Sequence, residues 1–417
     1  MSTLGKITRR TFVIGSAAIA GGVLFGVYKY KQPYPNPLKR DLADGEATLT
    51  PYVLINAEGV TIIAPRAEMG QGVRTSLAAL VAEELDIDVH SVTVEHGPAS
   101  KAYFNGAILE EGAPFPPYDN STMANRARAF MHVPAKFLGA QITGGSSSTV
   151  DAFEKMRMAG ATAREALLLA ASAKLNVAKN TLSTDNGHVV TQEGLRIAYT
   201  TLASLAASIE LPEDVTLKPR SEWKQIGRSI PKVDMVEKCT GTATFGIDVQ
   251  QSDMLYATIK VNPHLGAKLN SFNAQQAKTM KGVKHVFAIG DIGVAVVATN
   301  TWYAFKAADA ITFDWAKTAY AQTTEGLFAS AVAAINDEHQ DSQNRDDGDV
   351  DALIGQAGDA TINREYRAPL LAHATMEPMN ATALLKDGHL DIWAGNQSPT
   401  FALGEAARVS GLAEENI

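Results

Sequence analysis

The chain has 417 residues, enough for two to four domains at roughly 100–200 residues each. Hydrophobic residues make up 46% and charged residues 20%, which excludes wholesale disorder, and the 33 glycines show no three-residue period, which excludes a collagen-like chain. Lys and Arg number 37 against 45 Asp and Glu, so the net charge is −8, and with no long basic run the electrostatics speak against nucleic-acid binding.

Residues 1–31 differ from the rest. Arg9 and Arg10 stand just before an apolar run from Phe12 to Tyr28, and Lys29 and Lys31 follow it. A short membrane anchor has this outline. The run is rich in Gly and Ala and only mildly hydrophobic, which suits a twin-arginine export signal better. That pathway carries folded proteins, so the signal points to a cofactor inserted before export. No clean A-x-A site follows, and cleavage stays open. Pro33, Pro35 and Pro37 make Tyr30 to Leu38 an extended spacer.

Residues 52–64 read as a hairpin, Val53 to Asn56 and Val60 to Ile63 around a turn at Glu58-Gly59. Glu68-Met69-Gly70-Gln71-Gly72 follows, and the spacing of Val73, Leu77, Leu80, Val81 and Leu85 predicts a helix right after the glycines. Val92 and Val94 mark a strand, and residues 97–119 read as loop. A helix from about Thr122 to Phe137 is expected to break near Pro134. Thr143-Gly144-Gly145-Ser146-Ser147-Ser148-Thr149 precedes a long Ala-rich helix ending near Asn176, Asn186-Gly187 signals a second hairpin, and residues 200–209 read as a short helix.

The polar stretch Lys218 to Lys238 reads as a domain boundary. Beyond it lie expected strands at Leu255 to Val261, Val283 to Ile289 and Val294 to Ala298. Residues 336–351 are rich in Asp, Asn and Gln and read as a solvated linker. Asp346-Asp347-Gly348-Asp349 fails as an EF-hand loop, because it lacks the alternation and the closing glutamate. A strand–loop pattern starts at Ala360, and residues 399–415 read as a final helix with too little sequence after it to cover its apolar face. That leads to the expectation that this is the N-terminal portion of a longer protein.

Gly70-Gln71-Gly72 before a helix is a candidate anion site, since backbone N–H groups at a helix start favour phosphate. A dinucleotide fingerprint would need glycine at position 75, where Thr75 stands, so a plain turn leading into a helix is the competing reading. Gly144 to Thr149 offers two flexible residues and four hydroxyls at another helix start; a flexible loop is the alternative. His90 and His96 would share a face, but no third ligand accompanies them, and they read as ordinary surface or core histidines. No pair of histidines has H-E-x-x-H spacing. Glu110-Glu111 reads as a solvated loop pair. Glu377, next to Pro378, reads as a structural anchor or a catalytic base, with structure favoured. Gln397 ends a strand before a helix, where an amide can face a ligand or simply serve the turn. The one cysteine, Cys239, cannot by itself hold a zinc site or an iron–sulfur cluster.

In this order the pieces resemble the large, molybdenum-binding subunit of the molybdenum hydroxylases, the xanthine dehydrogenase and aldehyde oxidase family, and within it the isoquinoline 1-oxidoreductase beta-subunit type. Glu68 to Gly72 with its helix looks like a pterin-phosphate loop, and Gly144 to Thr149 resembles a second pterin loop. Residues 240–316, with Asp253-Met254-Leu255 and Pro263-His264, resemble the α/β hammerhead domain. Met376-Glu377-Pro378 and Trp393 to Pro399 resemble the opening of the first molybdenum-binding domain. In most of the family the Met-Gly-Gln-Gly segment follows the hammerhead; here it precedes it, the permuted order of the isoquinoline type.

The resemblance implies an α+β fold, C-terminally incomplete. Its parts are a signal and spacer at 1–38, a permuted molybdopterin-binding region at 39–217, the hammerhead at 218–335, an acidic linker at 336–358 and the start of the first molybdenum-binding domain at 359–417. It implies a molybdenum–molybdopterin cofactor in dinucleotide form, held by Met69, Gly70, Gln71 and Gly72 and by Gly145, Ser146, Ser147, Ser148 and Thr149. Gln397 matches a glutamine that in relatives hydrogen-bonds a metal-bound oxygen, and no residue of the chain is a metal ligand. The activity implied is hydroxylation of an N-heterocycle or aldehyde with water as the oxygen source. The family's Gly-Gly-x-Phe-Gly loop and the motif carrying its catalytic glutamate have no counterpart here, so the chain alone is expected to be inactive. Iron–sulfur clusters would sit on a small 2Fe-2S partner subunit, and electrons would leave to a periplasmic or membrane cytochrome. A non-catalytic exported binding or assembly protein on the same scaffold is the alternative.

Overall fold

The computed structural model describes residue 30 and residues 32–116, 118–210, 214–335 and 348–417. The arginine pair with its apolar run, and the Asp-, Asn- and Gln-rich stretch at 336–347, lie outside the described residues. The chain forms two compact units, one of residues up to Ile247 together with Met379–Ile417, the other Asp248–Pro378.

In the first unit, β1 (Ala47–Thr50), β2 (Val53–Ile55) and β3 (Val60–Ile63) form an antiparallel meander, with Val53 opposite Ile62. Asn56 fixes the β2–β3 turn by accepting from the N–H groups of Glu58 and Gly59. Helix α1 (Val73–Glu84) then crosses over to β4 (Thr93–Glu95), which pairs parallel to β3, a β–α–β unit. Apolar side chains lie on almost every side of α1, so it is buried between the sheet and a partner helix.

Helix α2 (Thr122–Leu138) continues past Pro134, against the expected break. The proline is exposed, and the Phe130 carbonyl it deprives of a donor lies on the solvent side, where water can meet it. Helix α3 (Ser148–Leu175) is the partner of α1 and ends on Asn176 in the left-handed conformation. Their axes meet at Gly160, where a Cβ would fall 2.6 Å from the Val81 carbonyl oxygen. A small sheet of β5 (Leu182–Asp185), β6 (His188–Thr191) and β7 (Arg196–Ala198) follows, its first turn made by Asn186 and Gly187, both at positive φ. Helices α4 (Tyr199–Ala207) and α5 (Met235–Thr240) complete this stretch. Ile55, Ile62, Leu77, Leu85, Met156, Leu167 and Leu202 are fully buried in one core, each contributing roughly 1.5–3 kcal/mol.

The stretch from Lys218, expected at a domain boundary, packs onto the end of α1 inside the first unit. Glu83 accepts from the N–H groups of Lys224, Gln225 and Ile226, and Glu84 meets Arg157, Arg164 and the Lys218 N–H. Two buried carboxylates at a helix C-terminus oppose the helix dipole, and these donors offset that cost.

The second unit holds β8 (Tyr256–Val261), β9 (Leu269–Asn273), α6 (Gln275–Lys278), β10 (Val283–Ile289), β11 (Gly293–Ala298), α7 (Thr301–Asp309), β12 (Thr312–Trp315), α8 (Thr324–Ile335) and α9 (Val350–Ala357). Its antiparallel sheet has the order β10-β11-β8, and β9 pairs with β12. Val294 and Val296 face Ala307, Ala308 and Ala277 in a separate core. Helix α9, capped by Asp349, occupies what the sequence suggests is linker. The chain returns to the first unit with the hairpin β13 (Thr382–Lys386) and β14 (His389–Trp393) and helix α10 (Pro399–Ser410). Among the described residues, no helix is long and apolar enough to cross a membrane.

Candidate functional site

The first glycine loop turns through Gly70 (φ +96°) and Gly72 (φ +84°), angles that favour glycine, and launches α1. Its donors are taken by a neighbour. Glu68 Oε1 accepts from Gly70 N (2.8 Å) and Gly72 N (3.0 Å), and Oε2 accepts from Arg74 N (3.0 Å). Burial pushes the Glu68 carboxyl up, but the bonds from Gly72, Arg74 and Gly70 outweigh it, and its pKa lies below the ordinary 4.5. The Gln71 amide is also engaged within the loop: Nε2 donates to Ala67 O (2.9 Å) and Oε1 accepts from Met69 N (2.6 Å). Lys232 braces the loop from outside through the Gly70 carbonyl. The sequence contains Glu68 next to the motif but does not reveal that it fills the N–H groups an external anion would use.

The second loop is built differently. Gly145 (φ +58°) and Ser146 (φ +53°) both sit in the left-handed region. Ser147 is buried and turned away from the opening; its hydroxyl donates to Gly144 O (2.6 Å) and accepts from Asn105 Nδ2 (2.7 Å). Helix α3 therefore starts without a side-chain cap. Behind it, Asp151 in the first turn is fully buried and accepts from Arg66 (2.7 Å), Lys155 (2.6 Å) and Gly106 N (2.6 Å). This hub fixes the helix start to the strip before the first loop and to the segment at 103–106, where Arg66 also donates to Tyr103 O (2.8 Å).

The two loops open into one cavity of about 360 Å³, lined by Met69, Gln71, Val73 and Ser76 on one side and by Thr143 to Ser146, Ser148 and Thr149 on the other. Of the residues singled out from the sequence, Met69, Gln71, Gly145, Ser146, Ser148 and Thr149 line it; Gly70 and Gly72 shape the first loop, and Ser147 supports the second from behind. Gln397 lies against the same loop: Thr143 N donates to Gln397 O (2.8 Å), and Gln397 Nε2 donates to Thr143 O (2.7 Å). Sequence reasoning missed Thr143, Asn105, Arg66 and Asp151 as contributors. An acid in the first turn of a helix is a dipole signal, but nothing local points to an arginine 85 positions away.

The volume falls in the range of small-ligand sites. Hydroxyls and uncapped N–H groups at the start of a long helix suit an anionic or polar, ring-bearing ligand. Among the described residues no three His, Cys, Asp or Glu side chains are placed to hold a metal ion. The hydroxyls and the uncapped helix start fit the phosphate and polar ring edges of a group such as a metal–pterin.

Elsewhere, Glu110 is not a simple solvated acid: it pairs with His132 (2.5 Å), half-buried beneath α2. His90 and His96 both reach solvent. Partial desolvation of the His96 ring, and then the nearby Arg74 guanidinium, hold it below the ordinary histidine pKa. Glu377 is half-buried in the second unit.

Residues 335–417 match the molybdopterin cofactor-binding domain family. The chain is 26% identical to the beta chain of the isoquinoline 1-oxidoreductase of Brevundimonas diminuta, aligned over 99% of this chain and 54% of that protein. It is 27% identical to the membrane-bound aldehyde dehydrogenase (pyrroloquinoline-quinone) of Gluconacetobacter polyoxogenes, over 99% of this chain and 50% of that one. With the nicotinate dehydrogenase large molybdopterin subunit of Eubacterium barkeri the identity is 26%, over 47% of this chain and 53% of that one. The chain thus spans about half the length of these relatives. These matches show that the chain is similar to molybdopterin-binding large subunits of molybdenum-containing oxidoreductases. The likeness to the isoquinoline 1-oxidoreductase beta subunit runs over nearly the whole of this chain.

Proposed function

We propose that this chain is the cofactor-holding part of the large subunit of an exported oxidoreductase that hydroxylates an aromatic N-heterocycle or an aldehyde. One observation carries the reading: two glycine loops, distant in sequence, share one cavity, whose second wall presents hydroxyls and an uncapped helix start, with Gln397 against its rim. Ser146, Ser148 and Thr149, with the N–H groups of the first turn of α3, would hold the charged end of a pterin dinucleotide. Met69 and Gln71 form the opposite wall. Gln397 keeps one amide hydrogen on Thr143 O, and its second amide hydrogen is the one available to a ligand. When bound, a molybdenum–pterin supplies two-electron oxidation of an electron-poor carbon with water as the oxygen source. The protein's part is to bind, orient and neutralise it.

The same proposal includes a small 2Fe-2S subunit, since Cys239 is the one cysteine and is exposed, and onward transfer to a cytochrome. It includes export through the Arg9-Arg10 signal to the periplasm or the periplasmic face of the inner membrane. The whole subunit that contains this chain, purified with its partner from molybdate-fed cells, tests the central claim, with molybdenum counted by elemental analysis and pterin by fluorescence after oxidation. Equal, near-stoichiometric amounts of both, reduced together in a Ser148→Ala/Thr149→Ala variant, are expected. A folded protein carrying neither would overturn the assignment and favour the non-catalytic alternative, and one carrying flavin or NAD in their place would overturn it as well. Export is read by cell fractionation, where Arg9→Lys/Arg10→Lys should hold the chain in the cytoplasm.

A further inference from the structure

Residues 141–143 form a strip outside any helix or strand, with the side chains of Gln141 and Thr143 both buried on the side of the first loop. From that side they reach the segment leading into the first loop: Gln141 Nε2 donates to Pro65 O (3.2 Å), and Thr143 Oγ1 accepts from Ala67 N (2.8 Å). The backbone of the strip reaches the returning segment instead. Thr143 N donates to Gln397 O (2.8 Å), Gln397 Nε2 donates to Thr143 O (2.7 Å), and Gln141 N donates to Thr400 Oγ1 (3.0 Å). Thr143 therefore touches the first loop through its hydroxyl, continues directly into the second loop, and holds Gln397 through both of its backbone polar groups. It also lines the cavity.

We infer that Thr143 is a positioning residue: its hydroxyl sets the distance between the two walls of the cavity while its backbone sets Gln397 against them. This rests on the reading of the cavity as the cofactor site. Ala67 is one residue from Glu68, whose carboxylate organises the whole first loop, so fixing the Ala67 N–H fixes that loop as a body. Without the Thr143 hydroxyl the half-buried Ala67 N–H has no acceptor in the strip, and the tie nearest the first loop is lost while Gln141 and the Arg66–Asp151 pair still join the segments.

Thr143→Val removes the acceptor at nearly constant shape, Thr143→Ser keeps it, and Thr143→Cys keeps the size with a poorer acceptor. Amide hydrogen exchange at Ala67 reads the bond without any cofactor. It should speed up by about tenfold in Thr143→Val, the size a lost hydrogen bond gives, and stay near wild type in Thr143→Ser. Pterin and molybdenum retention during dialysis should fall in Thr143→Val and recover in Thr143→Ser. If Thr143→Val does not fold, Thr143→Cys should show the same pair of changes at smaller amplitude. Unchanged exchange and retention in Thr143→Val, or a Thr143→Ser protein that behaves like Thr143→Val, would overturn the inference. A wild-type chain without cofactor would sink the reading of the cavity, while exchange at Ala67 would still decide on the bond.

Discussion

In the loop at 68–72, a carboxylate reaches back over the turn and takes the N–H groups of Gly70, Gly72 and Arg74. In the loop at 143–149, the residue in the capping position, Ser147, turns inward to Gly144 and Asn105, and the helix start is left without a side-chain cap. Glycine before a helix is a common feature of both, yet their charge is opposite. The first wall already holds a negative group where an anion would dock; the second presents hydroxyls and the positive end of a 28-residue helix. Glycine spacing reports flexibility, and it is silent on whether the donors it exposes are already taken.

The sharpest way to break this contrast is to remove what lies behind the second loop. Asp151 and Arg66 are buried, with side-chain exposures of 0% and 2%. Asp151→Ala leaves the Arg66 guanidinium uncompensated and releases Gly106 N and Lys155. Breaking such a pair costs about 3–5 kcal/mol, measured as the drop in unfolding free energy in urea. The loss should be accompanied by loss of the cavity's second wall, seen as proteolytic cutting at 144–148. Asp151→Ala with wild-type stability would mean that the hub does not hold the helix start.

A smaller effect is expected at the first loop. Glu68→Gln keeps the shape but removes the charge, and should cost about 1–2 kcal/mol, the range for a lost cap with charge-assisted bonds. Its pH dependence has a definite sign. The folded pKa of Glu68 is depressed, so its contribution is fully present above the unfolded value near 4.5 and is lost as pH falls through the lower folded value. Wild type should thus lose stability relative to Glu68→Gln as pH drops through that window, and the two should run parallel above about pH 6. Freed of its internal anion, the first loop should also gain affinity for inorganic phosphate, checked by calorimetry. A flat pH difference would show that the carboxylate does not hold the turn.

Much of the frame was legible before the structure, for local reasons. The β2–β3 hairpin, the start of α1 after Gly72, the Asn176 end of α3 and the Asn186-Gly187 turn each follow from residues within a few positions of one another. What was not legible is what depends on distant partners. Arg66 with Asp151, Glu84 with Arg157 and Arg164, and Thr143 with Gln397 join segments 73 to 254 residues apart, and no spacing rule encodes the pairing. The cavity-lining residues were visible as types, hydroxyls and glycines before helices. Which of them face inward was not: Ser146, Ser147 and Ser148 are identical in sequence and differ only in backbone angle and in who bonds the hydroxyl.

Ser146 gives the finest comparison between the loops. Where the first loop needs positive φ it has glycine, at 70 and 72; the second puts a serine at φ +53°. A left-handed side-chain residue carries roughly 1–2 kcal/mol of strain, and glycine in its place cancels part of that gain through about 0.5–1 kcal/mol of unfolded-chain entropy. Ser146→Gly should therefore stabilise the chain slightly, by up to about 1 kcal/mol, seen as a small rise in thermal midpoint. Ser146→Ala should give no such gain, because it keeps the strain. Both should lower pterin retention if the hydroxyl serves the cavity. If Ser146→Gly instead destabilises the fold and leaves retention untouched, the serine is there for the loop itself, and the strain at this wall has no functional reading. A gain in stability accompanied by a loss of ligand would show that the second loop keeps a strained residue for what it binds, while the first, already closed by Glu68, has no such need.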